Sequence, residues 1–149
     1  MNDDIENRLY REGITLAETR KRATAFFIDE MLLSFLLVIA LWDSFEKAAT
    51  MEELILVTNT FMLEFMAMKI IYQAFFVMQY GATLGKLVMK IKVIQIDTLD
   101  KPNVLVALNR GIFRVVSELL FYIGFVWGVM TPTRQTWHDK TARTLVVNA

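Results

Sequence analysis

The sequence contains no cysteine and only one histidine, His138, among its 149 residues. The absence of cysteine excludes disulfide bonds, thiol catalysis and metal sites with cysteine ligands. A single histidine likewise excludes a metal site built from several histidines of one chain. The charges balance, with 16 basic and 16 acidic residues, so net charge indicates no partner. We expect no metal site and no cofactor.

The features of a cleavable secretory signal are also missing. The first residues include the acids Asp3, Asp4 and Glu6, and no small-residue cleavage site follows the first apolar run. Apolar residues make up 55% of the chain, against roughly 45–50% in soluble domains, and the mean hydropathy is +0.40. We therefore expect the first hydrophobic segment to remain in the bilayer as an anchor.

Apolar runs separate the membrane segments of a single domain from its polar connections. Residues 1–22 are polar and form either a weak interfacial helix or a partly ordered cytoplasmic tail. Short β-branched runs over 90–97 and 144–148 predict two strands. The other predicted segments are a first membrane helix at 23–42, a second at 54–80, a third hydrophobic segment at 112–130 and a basic C-terminal tail at 131–149. The predicted fold is an all-α membrane protein with two transmembrane helices, a third short segment and a small cytoplasmic strand pair.

Lysine and arginine in short loops indicate which side of a membrane is cytoplasmic. This rule places residues 1–22 and 81–114 inside and the acidic loop at 43–53 outside. It would place the basic C-terminal tail outside if the third hydrophobic segment crossed once. A re-entrant hairpin that bends near Gly124 would return the tail to the cytoplasm and let the two strands pair. The re-entrant form is therefore favoured over a spanning one.

Charged residues inside the hydrophobic segments are candidates for an ion or proton path. The candidate path consists of Asp29, Glu30, Glu64, Lys69 and Glu118. These charges could instead be structural. Asp29 would then pair with a basic residue of a neighbouring segment, such as Lys69, Arg110 or Arg114. Glu64 would be neutral and hydrogen-bonded at a contact between helices.

Arg110, Arg114 and Glu118 are spaced four residues apart, which places them on one face of a helix. Arg110 and Arg114 predict a face that binds an anionic ligand or lipid headgroups. The favoured alternative is a ladder of charges that anchors the third segment against Asp29 or Asp139. His138 and Asp139 could form a base and its orienting acid, but no nucleophile motif accompanies them. We expect capping and salt bridges there, no catalytic residue and no enzyme activity.

Three short blocks, in order, carry a resemblance to a known family. The first is Arg22-Ala23 with Asp29 seven residues after Arg22. The second is Thr83-Leu84-Gly85-Lys86, followed by Lys92-Val93-Ile94. The third is Gln135-Thr136-Trp137-His138-Asp139, followed by Ala142 and by Thr144-Leu145-Val146-Val147. On these blocks the chain resembles the RDD family of small bacterial integral membrane proteins, over roughly residues 20–149.

The family is named for one arginine and two aspartates, which the resemblance assigns to Arg22, Asp29 and Asp139. The family often has glycine where this chain has Lys90 and Arg143, and these departures argue against a glycine-dependent turn at either position. The resemblance implies little about function. The family is mostly uncharacterised, and transport of an unidentified ligand or cation/proton exchange is suggested for its members.

Two function hypotheses remain from the sequence. The first is a small transporter of a cation, a proton or another small ligand in the bacterial plasma membrane. The second is a non-catalytic accessory or assembly protein that acts through a partner. Expected partners are the lipid bilayer and either a second copy of the chain or an unidentified membrane protein, because two or three helices make a thin pore wall. We expect no nucleic-acid partner.

Overall fold

The computed structural model of the protein describes residues 2–120 and 123–149, with side chains over 3–120 and 126–149. Most of these residues are helical. The helices are α1 (Asn2–Arg11), α2 (Thr19–Ala40), α3 (Trp42–Lys47), α4 (Met51–Thr60), α5 (Met62–Tyr80), α6 (Leu84–Val88), α7 (Val104–Leu119), α8 (Ile123–Met130) and α9 (Trp137–Thr141). The strands are β1 (Ile91–Gln95) and β2 (Thr144–Asn148).

Helix α2 is long and apolar enough to cross a membrane. Its 22 residues extend about 33 Å at about 1.5 Å each, and the hydrocarbon core of a bilayer is about 30 Å thick. A stripe of large apolar side chains, each more than half exposed, runs along the helix at a spacing of four residues: Phe27, Met31, Phe35 and Ile39. A continuous exposed apolar surface of this kind is typical of contact with lipid.

The second hydrophobic stretch is divided between α4 and α5, whose axes differ by 54° across a short break. By length and composition the pair forms one broken span or a re-entrant loop. Helix α4 begins at a capping box, in which the Glu53 amide donates to the Thr50 hydroxyl at 3.2 Å and the Thr50 amide donates to the Glu53 carboxylate at 3.3 Å. The acidic loop expected at 43–53 therefore contains α3 and the start of α4.

Strands β1 and β2 pair antiparallel, with Val93 opposite Val146, which confirms the predicted small strand pair. On the other edge of β2, Leu16 forms a bridge to Val147. The N-terminal segment, the connection between α6 and α7, and the C-terminal segment therefore meet at one end of the molecule.

The two-stranded sheet is covered on both faces. Helix α1 packs on one face, where Leu9 is buried against Leu145 and Val147, so the N-terminal tail is an ordered helix. The opposite face joins a cluster with α2, α5 and α7: Ala17, Ala25, Val77, Ile91, Val93, Ala107 and Val146. Strands buried on both faces contain nearly continuous apolar runs, which agrees with the β-branched runs from which the two strands were predicted.

Lys90 and Arg143 each stand directly before a strand and adopt left-handed backbone, with φ of 55° and 52°. This conformation is the one that favours glycine. The expectation that these two residues argue against a glycine-type turn is wrong. Both turns keep the left-handed conformation without glycine. The pairing of β1 with β2, which begins at the next residue in each case, holds Lys90 and Arg143 in this conformation.

The predicted helix face with Arg110, Arg114 and Glu118 and the start of the third hydrophobic segment belong to one continuous helix, α7. It packs along α5, where a Cβ atom on Gly111 would lie 3.2 Å from the carbonyl oxygen of Ile70. Helix α8 follows and includes Gly124. The hairpin bend predicted near Gly124 adjoins residues 121–122, which lie outside the described residues.

Candidate functional site

Asp29 is fully buried in α2 and receives three hydrogen bonds. The donors are the Tyr72 hydroxyl at 2.7 Å, the Thr83 hydroxyl at 2.6 Å and the Gly85 amide at 2.8 Å. Helix α6 approaches α2 closely enough to make these bonds because Gly85 has no side chain. A Cβ atom there would lie 2.1 Å from the Ala25 carbonyl oxygen. Asp29 thus joins α2, α5 and the start of α6.

Four charged side chains from α2, α5 and α7 form a closed ring, called here the balanced ring. Lys69 Nζ lies 2.8 Å from a Glu30 oxygen and 2.6 Å from a Glu118 oxygen. Arg114 completes the ring, 3.1 Å from Glu30 and 3.6 Å from Glu118. Two acids alternate with two bases, so the ring is neutral, and each charge is offset by two neighbours of opposite sign.

A second group of charges surrounds Asp139 and is called here the Asp139 cluster. Arg22 lies 2.5 Å from the Asp139 carboxylate, and Arg110 donates to the other oxygen and to the Thr144 hydroxyl. The carboxylate also accepts from the Thr136 amide at 3.1 Å and the Thr136 hydroxyl at 2.9 Å, which caps α9. Asp139 therefore holds α2, α7 and α9 together.

The electrostatics of this cluster keep Asp139 ionised and His138 neutral. Burial acts to raise the pKa of Asp139, but the charges of Arg110 and Arg22 bring it well below its ordinary value. Burial lowers the pKa of His138 well below its ordinary value. His138 is therefore an uncharged imidazole near neutral pH.

A cavity of about 310 Å³ lies beside the Asp139 cluster, between α2, α6, α7, α8 and α9. Its described lining includes four basic side chains and no acidic one: Arg22, Lys86, Arg110 and Arg114. Apolar residues form another part of the wall: Ala23, Phe26, Val126 and Val129. This space is called here the basic cavity.

Two basic side chains that line the basic cavity have donors without acceptors among the residues that the structure describes. Arg110 is fully buried, and its Nε and Nη2 atoms have no hydrogen-bond partner within the described parts of the chain. Lys86 forms no ion pair with any described residue. Burial lowers the pKa of Lys86 to about 7. Buried donors without acceptors are costly, so the cavity is chemically suited to an anion.

The family model of the RDD family matches residues 16–143. The chain belongs to the RDD family. This span includes the three charged residues assigned to the family name, and it confirms the resemblance read from the sequence. Neither the curated proteins nor the solved structures contain a match to the chain.

The three residues for which the RDD family is named do not form one site here. Arg22 and Asp139 contact each other, whereas Asp29 lies in a separate hydrogen-bonded group with hydroxyl and amide donors. Among the described residues Asp29 forms no ion pair, so none of the three expected bases is its partner. Lys69 and Arg114 belong to the balanced ring, and Arg110 pairs with Asp139. Asp29 joins α6 to α2, and Asp139 joins α9 to α2 and α7.

The other residues proposed for an ion path are divided between two places. Glu30, Lys69 and Glu118 come together in the balanced ring. Glu64 is exposed and lies apart from them, in an apolar groove beside Leu36. No hydrogen bond or ion pair of Glu64 is present within residues 2–120 and 123–149.

Sequence reasoning assigned no role to Lys86, Tyr72 or Thr83. Thr83 and Lys86 lie within the block Thr83-Leu84-Gly85-Lys86, which contributed to the resemblance to the RDD family. Their place in this block was the one sequence feature that could have pointed to a role for them. Thr83 also caps α6, accepting from the Lys86 amide at 3.4 Å. Tyr72 carries no such signal, since an aromatic residue in an apolar helix is ordinary.

Proposed function

We propose that this RDD protein is an integral membrane protein that binds a small anionic ligand in the basic cavity. The observation that carries the proposal is the set of unmatched donors. Arg110 lines the cavity and has two buried N–H positions without acceptors in the part of the chain that the structure describes. The Lys86 side chain beside it has no carboxylate partner among the described residues. Arginine and lysine donors of this kind bind oxyanions through charge-assisted hydrogen bonds.

The charge around the cavity supports an anionic ligand over a cation. Arg22 and Arg110 share one carboxylate, that of Asp139. Arg114 is neutralised within the balanced ring. Lys86 adds a further positive charge when protonated. An entering anion therefore meets an excess of positive charge at short range, in surroundings where water screens it little.

The topology that goes with this function is a multi-pass one. Helix α2 crosses the membrane, and the bent pair α4–α5 returns to the side from which α2 starts. Two paired strands lie on the same side of a membrane. The chain between β1 and β2 therefore returns to the side on which β1 lies, which agrees with a re-entrant third hydrophobic segment. The basic residues before α2 place this side, and the basic cavity near it, in the cytoplasm.

Binding of a simple oxyanion tests the proposal directly. Calorimetric titration of the purified protein in detergent with sulfate, in chloride buffer, is expected to give saturable binding. Lys86→Met is expected to weaken it at least about fivefold. The matched control is Lys92→Met, an exposed lysine on β1, which is expected to bind like the wild type. No saturable sulfate binding by folded wild-type protein, or equal weakening by both variants, would overturn the proposal.

A second candidate function is cation or proton exchange across the membrane. The observation that favours it is the pair of acids that share Lys69 inside the helical bundle, at 2.6 and 2.8 Å. Liposomes containing the protein, with pH and sodium dyes inside, test it. Flux that Glu118→Gln abolishes would support exchange, and absence of flux from correctly inserted protein would exclude it for the ions tested.

A further inference from the structure

We infer that the ligand of the basic cavity is an anionic phospholipid, whose phosphate is held by Arg110 and Lys86 and whose acyl chain lies against the apolar wall. This inference rests on the proposed function, because it assigns a class of ligand to the same anion site. The shared chemistry is a phosphate group. A lipid headgroup and a free phosphate are its two sources, and the inference commits to the lipid.

The first reason is the division of the cavity wall into a basic part and an apolar part. Arg22, Lys86 and Arg110 lie in the basic part, and Val126 and Val129 belong to the apolar part. A small inorganic anion would use only the basic residues and leave the apolar ones against water. An amphiphile uses both parts, because its charged end and its hydrocarbon end are joined.

The second reason is the chemistry of the donors. A guanidinium group is planar and matches the oxygens of a phosphate with paired N–H donors, whereas lysine supplies a compact charge. Arg110 lines the cavity, and its Nε and Nη2 atoms have no acceptor among the described residues. They form the edge of a guanidinium that can bind two phosphate oxygens at once, and because both are buried, the side chain has to turn toward the cavity to do so. Lys86 lines the same cavity and can offset the remaining charge of the phosphate.

The third reason is size and position. Sites for small ligands have volumes of about 300–1,000 Å³, and a cavity of about 310 Å³ holds a headgroup and the beginning of a chain. The rest of the chain needs an apolar surface outside. Val126 and Val129 are 57% and 63% exposed and extend the cavity wall outward. The cavity also lies beside Arg22, at the end of α2 where lipid headgroups reside in the proposed topology.

Three soluble probes separate the lipid from its parts. Dihexanoyl phosphatidic acid has the phosphate and the chains, glycerol 3-phosphate has the phosphate alone, and dihexanoyl phosphatidylcholine has the chains with a zwitterionic headgroup. Each is titrated into the purified protein in detergent. Phosphatidic acid is expected to bind at least about tenfold more tightly than glycerol 3-phosphate, since burial of two methylene groups alone supplies about that factor. It is also expected to bind at least about tenfold more tightly than phosphatidylcholine, because the choline group offsets the charge of the phosphate that the basic residues bind.

Two matched pairs of variants assign the binding to this cavity. Val129→Thr keeps the side-chain volume but makes the apolar wall polar, and it is expected to weaken phosphatidic acid about threefold or more without changing glycerol 3-phosphate. Val88→Thr changes an exposed valine that does not line the cavity and is expected to have no effect. Lys86→Met should weaken both phosphate probes, and Lys92→Met neither.

The outcomes distinguish the failure of this inference from that of the proposed function. If glycerol 3-phosphate binds as tightly as phosphatidic acid and both depend on Lys86, the anion site stands and the lipid assignment is overturned. If phosphatidylcholine binds as tightly as phosphatidic acid, the assignment to an anionic lipid is likewise overturned. If no phosphate probe depends on Lys86, both proposals fall. If Lys86→Met does not fold, Val129→Thr still tests the lipid assignment. Unchanged binding of phosphatidic acid by Val129→Thr would then overturn that assignment.

Discussion

The balanced ring and the Asp139 cluster lie one helical turn apart on α7, at Arg114 and Arg110. They differ in the number of carboxylates that pair with their arginines. In the ring, two acids face two bases, and Arg114 contacts both acids. In the Asp139 cluster, one carboxylate serves two arginines. Both arginines of α7 have nitrogens without a hydrogen-bond acceptor among the described residues, Nε in Arg114 and Nε with Nη2 in Arg110. The difference therefore lies in charge, which is balanced by two acids at Arg114 and by one shared acid at Arg110.

This difference in charge balance distinguishes an arginine with a structural role from one that can bind a ligand, which the burial of the two side chains does not. Both arginines are buried in the same helix. A neutral set of charges has no net charge to attract an ionic ligand. A set with more cations than acids keeps a net positive charge, which a bound anion neutralises. The predictions below test this contrast, from the largest expected effect to the smallest.

The largest effect is expected from Asp139→Asn. The change leaves Arg22 and Arg110 without a counter-charge in a buried position and weakens the cap of α9. Loss of one member of a buried ion pair costs roughly 3–5 kcal/mol. The free energy of unfolding in detergent measures it. The control is Asp97→Asn, which breaks the exposed pair with Arg143 at 2.9 Å and should cost less than about 1 kcal/mol. Equal effects of the two changes would contradict the central role of Asp139.

A smaller effect is expected in the balanced ring, from Glu118→Gln. Hydrogen bonds to charged groups contribute about 1.5–3 kcal/mol each, and the variant leaves the ring with one excess positive charge. The double variant Lys69→Met with Glu118→Gln removes one charge of each sign and leaves the pair of Glu30 and Arg114. Its loss of stability should be smaller than the sum of the two single losses. Additive losses would show that the four residues do not act as one ring.

The pH dependence of anion binding should distinguish the open cluster from the closed ring. Burial lowers the pKa of Lys86 to about 7, so Lys86 is neutral above that pH and charged below it. Binding of sulfate, whose charge is constant in this range, should strengthen several-fold between pH 8.5 and pH 6. Lys86→Met should remove this dependence, whereas Glu118→Gln should retain it. His138 does not contribute, because its pKa lies well below its ordinary value.

The smallest effect is expected outside both clusters, at Lys90. Its φ of 55° is unfavourable for a residue with a Cβ atom and easy for glycine. Lys90→Gly should therefore raise the free energy of unfolding, by less than about 1 kcal/mol after the greater flexibility of glycine in the unfolded chain is included. Thermal unfolding in detergent provides the measurement. A loss of stability would show that the lysine side chain contributes more than the backbone conformation costs.

Short-range patterns in the sequence predicted much of this molecule. The blocks around Arg22, Gly85 and Asp139 identified the RDD family, and the β-branched runs identified the strand pair. The spacing of Arg114 and Glu118 placed them on one helix face, where they form an ion pair of 3.6 Å. Each of these features depends on residues that are close in sequence or on a motif that can be read directly.

Contacts between distant elements were harder to predict. Glu30 and Lys69 are 39 positions apart, and their pairing depends on how α2 and α5 are rotated against each other. The sequence alone therefore suggested a path of acids instead of a ring. The position of Lys86 depends on how closely α6 approaches α2, which Gly85 permits. For Asp29 the expected partners were bases, and the observed donors are hydroxyl and amide groups, which charge patterns cannot indicate.

The order of Asp139 in the chain has a consequence for how the protein is made. Asp139 lies 117 positions after Arg22 and 29 after Arg110, so both arginines are synthesised before their shared carboxylate. A growing chain folds from its N-terminal part onward, and until α9 is complete the two cations repel each other across the α2–α7 contact. Insertion of the first hydrophobic helix must therefore precede its final docking. A ribosome arrested before α9 would leave an unlocked intermediate in the membrane, open to degradation by quality-control proteases.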